Sequence, residues 1–166
     1  MFQKVLVPLD GSEQADRILP YVSRLARGLN IPVVVMSVVE SGASSKVDRL
    51  KVEAEGHLQT VVTQLAGKGI QAEAAVTMGR PAEEIVRIAE RQGCNLIALA
   101  MQSKGAAGRG TLGSVTDKVI HASQIPTLTI PPQPGEQQLE QEAPIATIIV
   151  PLDGSPLAET ALSYAE

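Results

Sequence analysis

Apolar and polar positions follow two rhythms along this chain. Short β-branched runs give way to stretches in which apolar residues recur every three or four positions, and the alternation repeats five times. Residues 5–9, VLVPL, read as a strand buried on both faces. After a turn at Asp10, Gly11 and Ser12, the positions Ala15, Ile18, Leu19, Val22, Leu25, Ala26 and Leu29 predict one amphipathic helix with Ser12 as its N-cap. Pro20 lies inside it and predicts a bend, because an interior proline removes a backbone hydrogen bond and crowds the preceding turn.

The run IPVVVMSVV at residues 31–39 is the strongest strand, again buried on both faces. The spacing then predicts a helix over 48–66, with Leu50, Ala54, Leu58, Val61 and Leu65 on its inner stripe and Gly67 and Gly69 closing it. Residues 70–76 alternate only in part, with Gln71 and Glu73 turned outward as at a sheet edge. Pro81, at a first helical position, opens a helix to about Arg91 that buries Ile85, Ile88 and Ala89. Residues 96–100 form a fourth buried strand. A last helix begins near Ser114, where Ser-Val-Thr-Asp has the form of a capping box, and residues 127–130 make a strand stopped by Pro131 and Pro132.

Such alternation predicts an α/β domain with a parallel sheet, since parallel neighbours require crossover helices. Residues 132–144 are polar and acidic without an apolar period and read as a linker, so a first domain is expected over residues 1–131. The opening phrase then returns: KVLVPLDGSEQADRILPYV at residues 4–22 reappears as TIIVPLDGSPLAETALSYA at residues 147–165. Residues 145–166 therefore predict the incomplete start of a second copy, a strand at 147–152 and a helix, and Asp153 is expected to bind nothing. The chain is expected to be a piece of a tandem protein or a naturally shortened one. An orphan strand exposes apolar surface and an unpaired edge, so this one should dock on the first domain or on a neighbouring subunit.

Composition narrows the function classes. Aromatic residues make up 2% of the chain and the net charge is −4, so both the stacking platforms and the basic stripe of nucleic-acid binders are missing. No apolar run approaches the ~20 residues needed to span a bilayer, and a membrane partner is not expected. Cys94 is the one cysteine and reads as a small packing residue at the start of a strand. That usage fits a reducing compartment, and the protein is expected to be cytoplasmic.

Ligands of open parallel sheets sit at the carboxyl ends of the strands, where the strand order reverses. Two loops compete for that place, residues 8–12 and the stretch MQSKGAAGRGTLGS at 101–114. A glycine loop that opens a helix suits a phosphate, because backbone N–H groups approach the anion and the helix end adds partial positive charge. Gly105, Gly108, Gly110, Gly113 and Ser114 have this character; the alternative is a flexible surface loop. Asp10 either accepts hydrogen bonds from a ribose or base, or holds a metal-bound phosphate, or simply satisfies the N–H groups of its own turn. No P-loop is present, GxGxxG is missing after the first strand, and Thr77 and Met78 stand where a phosphoryl-accepting receiver would carry acids. His57 and His121 have no partners at metal spacing, and Ser12 and Ser114, with no evident base, are expected to cap helices.

With these residues assembled, the chain resembles the universal stress protein family over residues 2–131, and again from Ile145. The resemblance rests on KVLVPLDGSE, GRPAEEIVRIAE, CNLIALAMQSKG and GTLGSVTDKVIHASQIPTLTIP. It implies a five-stranded parallel sheet of order 3-2-1-4-5 with helices on both faces, a Rossmann-like fold of the adenine nucleotide alpha hydrolase type. It also implies ATP, with or without Mg²⁺, bound at the switch point by Pro8, Leu9, Asp10, Val38, Gly105, Gly108, Gly110, Gly113, Ser114 and Val115. A homodimer through the last strand, Thr127 to Ile130, is implied as well.

One departure tempers this. The family's ATP signature is a glycine, two residues, a second glycine, nine residues, then Gly-Ser or Gly-Thr. Here Gln102 stands at the first glycine, and seven residues separate Gly105 from Gly113. A non-nucleotide dimerisation and interaction module of the same family is therefore the alternative, to be told apart by whether the loop is an open cradle or collapsed onto Asp10. With no general base identifiable, binding rather than turnover is expected, slow ATP hydrolysis being left open.

Overall fold

The computed structural model describes residues 1–40, 44–101, 113–130 and 147–164. Five strands, β1 (Val5–Pro8), β2 (Val33–Val39), β3 (Ala72–Met78), β4 (Leu96–Ala100) and β5 (Thr127–Ile130), form one parallel sheet of order β3-β2-β1-β4-β5. Right-handed crossovers place successive helices on the two faces. The helices of the first domain are α1 (Glu13–Asp16), α2 (Leu19–Leu29), α3 (Ser44–Gly67), α4 (Pro81–Arg91) and α5 (Ser114–Ala122).

Alternation within the buried strands divides the core in two. Val5, Val7, Val33, Val35 and Leu96 point to the side of α2 and α3, where they meet Val22, Leu58 and Val61. Leu6, Val34, Met36, Ile97 and Leu99 point to the side of α4 and α5, where they meet Ile85, Ile88 and Val119. β1 is the central strand, in register with Val33 of β2 and Leu96 of β4 through Val5, which is why its apolar run has no polar interruption. β3 is the edge, and Glu73 on it is exposed as its alternation predicts.

Several boundaries differ from the sequence reading for physical reasons. The predicted helix from Ala15 is two helices, and the break falls before Leu19, not at Pro20. This puts Pro20 in the first turn of α2, where a missing N–H costs nothing, and the interruption expected around it takes the form of a break at residues 17–18. The helix expected over 48–66 starts a turn earlier, at Ser44; Val47 is buried at its start, while Leu50, assigned to the inner stripe, is 37% exposed. β3 extends to Met78, so Thr77 belongs to the strand and not to the loop after it.

The repeated stretch near the end departs most from the expectation. Residues 147–152 form no strand, and Ile148 and Ile149 are 61% and 86% exposed where their counterparts Val5 and Leu6 are fully buried. A central parallel strand is held by neighbours on both sides, and none is supplied to this segment among the described residues. Its turn and helix start do form: α6 (Pro156–Glu159) is capped by Ser155 and followed by a 3₁₀ turn at Thr160–Tyr164.

Candidate functional site

β1 delivers its loop to the carboxyl edge of the sheet, and the Leu9 N–H continues the pairing by donating to the Met36 carbonyl at 2.8 Å. The chain then reverses at Gly11, whose φ of +79° favours glycine. The Asp10 carboxylate Oδ1 accepts from the Ser12 N–H at 3.0 Å and from the Ser12 hydroxyl at 2.5 Å. Ser12 in turn accepts from the Ala15 N–H at 3.1 Å, as its predicted N-cap role requires. The local role foreseen for Asp10 is thus fulfilled by one of its two oxygens.

The facing wall is the start of α5. Here the capping box is not formed: Gly113 is the N-cap, without a side-chain cap bond, and Ser114 is the first helical residue. The Asp117 N–H donates to the Gly113 carbonyl at 2.9 Å. Between this helix end and the β1 loop lies a cavity of about 360 Å³ lined by Pro8, Leu9, Asp10, Val38, Gly113 and Val115. The structure thereby brings together six of the ten predicted site residues. Ser114 faces instead the neighbouring groove between α4 and α5. Gly105, Gly108 and Gly110, together with Gln102, lie outside the described residues.

The third wall escaped the sequence reading. Met36, Glu40, Pro81, Ile85 and Thr116 also line the cavity, and the Thr116 side chain is a buried polar residue at its floor. Only Pro81 and Ile85 carried a signal, in GRPAEEIVRIAE. Their turn is fixed by a cluster at the base of α4: the Glu84 carboxylate accepts from the Thr77 hydroxyl at 2.6 Å and pairs with Arg87. Arg87 also donates to the Thr77 hydroxyl at 3.2 Å. Those hydrogen bonds, from Arg87 first and Thr77 second, hold the Glu84 carboxyl below its ordinary range. Gly79 lies against this cluster with φ +144°, and a Cβ there would meet Glu84 Cγ at 2.9 Å.

The remaining titratable residues sit away from the cavity. Cys94 is buried just before β4, and desolvation pushes its thiol up to about 11, so it stays protonated, as befits a packing residue. His57 pairs across to Asp16 at 3.1 Å, tying α3 to α1. His121 bonds the Asp117 carbonyl at 2.8 Å on its own helix. Among the described residues no group of His, Cys, Asp and Glu could hold a metal ion, and no helix is long and apolar enough to cross a membrane.

The universal stress protein family matches residues 1–131. The chain belongs to this family. A universal stress protein of Methanocaldococcus jannaschii is 27% identical over 154 residues, covering 78% of this chain and 95% of the relative. Universal stress protein YxiE of Bacillus subtilis is 28% identical over 147 residues, covering 78% and 99%. A universal stress protein of Mycobacterium tuberculosis is 25% identical over 175 residues; there the match takes in 97% of this chain but 58% of the relative. Among solved structures, the protein from M. jannaschii superposes with a TM-score of 0.71 at 28% identity, over 81% of this chain and 99% of that one. A universal stress protein in complex with cAMP has a TM-score of 0.64 at 22% identity, covering 78% and 97%. One from Archaeoglobus fulgidus in complex with dAMP has a TM-score of 0.63 at 23% identity, with the same coverage, and both share the fold.

Proposed function

We propose that this universal stress protein domain binds an adenine nucleotide, ATP in the first place, in the cavity between the β1 loop and the start of α5, and acts as a cytoplasmic stress-response module. The observation that carries the reading is the composition of that cavity at the switch point of the sheet. Met36, Val38, Ile85 and Val115 give apolar walls for a base, Asp10 gives an acceptor for ribose hydroxyls, and Gly113 brings a helix N-terminus within reach of phosphate. The cavity volume of about 360 Å³ is of the size small-molecule sites have. The universal stress proteins solved with cAMP and dAMP give this choice of ligand its context. Gly105, Gly108, Gly110 and Ser114 would complete the phosphate end, with Mg²⁺ as the companion of a triphosphate.

A second reading, a nucleotide-free interaction module, is favoured by one observation. Asp10 accepts the same backbone hydrogen bond in its turn as Asp153 does in the repeated stretch, so that contact forms without any ligand. In either reading the domain occupies residues 1–131 and pairs with a second copy through β5, and residues 145–166 begin a second domain of the same family. The test is thermal denaturation with and without nucleotide. Saturating ATP with Mg²⁺ at about 100 times Kd should add roughly 2.7 kcal/mol of stability and raise the midpoint by several degrees. An unchanged midpoint with ATP, ADP and AMP at millimolar concentration favours the interaction module.

A further inference from the structure

The topology leaves one edge of the sheet thinly covered. α2 and α3 cross over between β1, β2 and β3 on one face, and α4 and α5 serve the opposite face, so on the α2 side β4 is buried through Leu96 and Ala98 while β5, beyond it, is only half-buried at Leu128 and Ile130. There Phe2, Tyr21, Leu25, Leu96, Leu128 and Ile130 line an apolar groove of about 280 Å³. It runs beside β5, the strand at the sheet edge.

A segment of the same chain already touches this groove. The Tyr164 ring stacks on Phe2, with centroids 5.7 Å apart and planes at 24°. Tyr164 holds in the repeated stretch the place of Tyr21 in the first; Tyr21 lines the groove itself, and Tyr164 stacks on its lining residue Phe2. The segment also brings apolar surface of its own: Leu157 and Leu162 are 81% and 43% exposed. Covering the groove with this segment would remove both patches from water at once. Being tethered, the segment reaches the groove at an effective concentration that a free second copy must match in solution.

We propose that residues 160–164 of the chain itself are the occupant of the β4–β5 groove, with Tyr164 on Phe2 as the anchor, and that they mask the face beside β5 against a second copy. The masking half of this statement rests on the homodimer reading above; the docking half does not.

Hydrogen exchange and light scattering on the full chain test the two halves separately, comparing wild type with Tyr164→Ala and Tyr164→Phe. Docking predicts that amides at residues 160–164 and near Phe2 exchange severalfold faster in Y164A, and that Y164F, which keeps the ring, matches wild type. Masking predicts that Y164A dimerises at a protein concentration about tenfold lower than wild type, the shift that about 1.4 kcal/mol gives. Faster exchange in Y164A with both proteins monomeric throughout supports docking and removes the homodimer. Unchanged exchange in Y164A overturns the proposal, whatever the oligomeric state.

Discussion

Asp10 and Asp153 occupy the same turn twice. Each carboxylate accepts from the N–H of the serine two residues on, at 3.0 and 2.9 Å, and each is followed by a glycine, with φ of +79° and +81°. The turn is therefore a local property of Asp-Gly-Ser, independent of any sheet. Function can enter only through what surrounds it, and Asp10 lines the cavity at the switch point of the sheet. If the nucleotide reading holds, Asp10→Ala weakens ATP binding about tenfold or more, as expected for loss of a hydrogen bond to a charged group, while Asp153→Ala leaves it unchanged. Equilibrium dialysis of the two variants compares them directly. Glu84 supports a second expectation, on stability. Its carboxyl is held low by Arg87 and Thr77, so its contribution is present above the ordinary value of 4.5 and is lost as pH falls through the depressed one. Glu84→Gln should thus be less stable than wild type at neutral pH, with the difference closing in more acidic buffer. Urea melts across that range would show it.

The elements differ in how openly they were written. β4, β5 and α4 were legible to the residue, because each is a compact apolar or amphipathic run with its own start and stop signals. The α1–α2 break and the missing capping box were not, since the first depends on how the chain accommodates Pro20 and in the second Gly113 takes the cap position from Ser114. The strand at 147–152 fails for a deeper reason: its apolar run matches β1, yet β1 is a strand through β2 and β4. Of the site, the β1 loop and the start of α5 could be found from motifs. Met36, Glu40 and Thr116 could not, because their place follows from strand order and register. The β3–α4 turn offers an element-scale test. Gly79→Ala forces a side chain onto Glu84 at a φ that disfavours it, and should destabilise the domain by roughly 1–3 kcal/mol in denaturant titration.

At the scale of the whole molecule, two openings among the described residues differ sharply in lining. One lies at the carboxyl ends of β1, β2 and β4, where crossovers diverge and leave the cavity of Asp10 and Gly113. The other is the apolar groove beside β5, neighboured by Tyr164 of the repeated stretch. By their linings the first suits a small molecule and the second a protein segment. Titration calorimetry of the full chain with ATP and Mg²⁺ tests most directly whether the first takes an adenine nucleotide, as proposed. A saturable heat with one site per chain, strongly reduced in Asp10→Ala, is the result predicted. No heat from ATP, ADP or AMP up to about millimolar concentration, where even a binding free energy of about −4 kcal/mol would register, would contradict it.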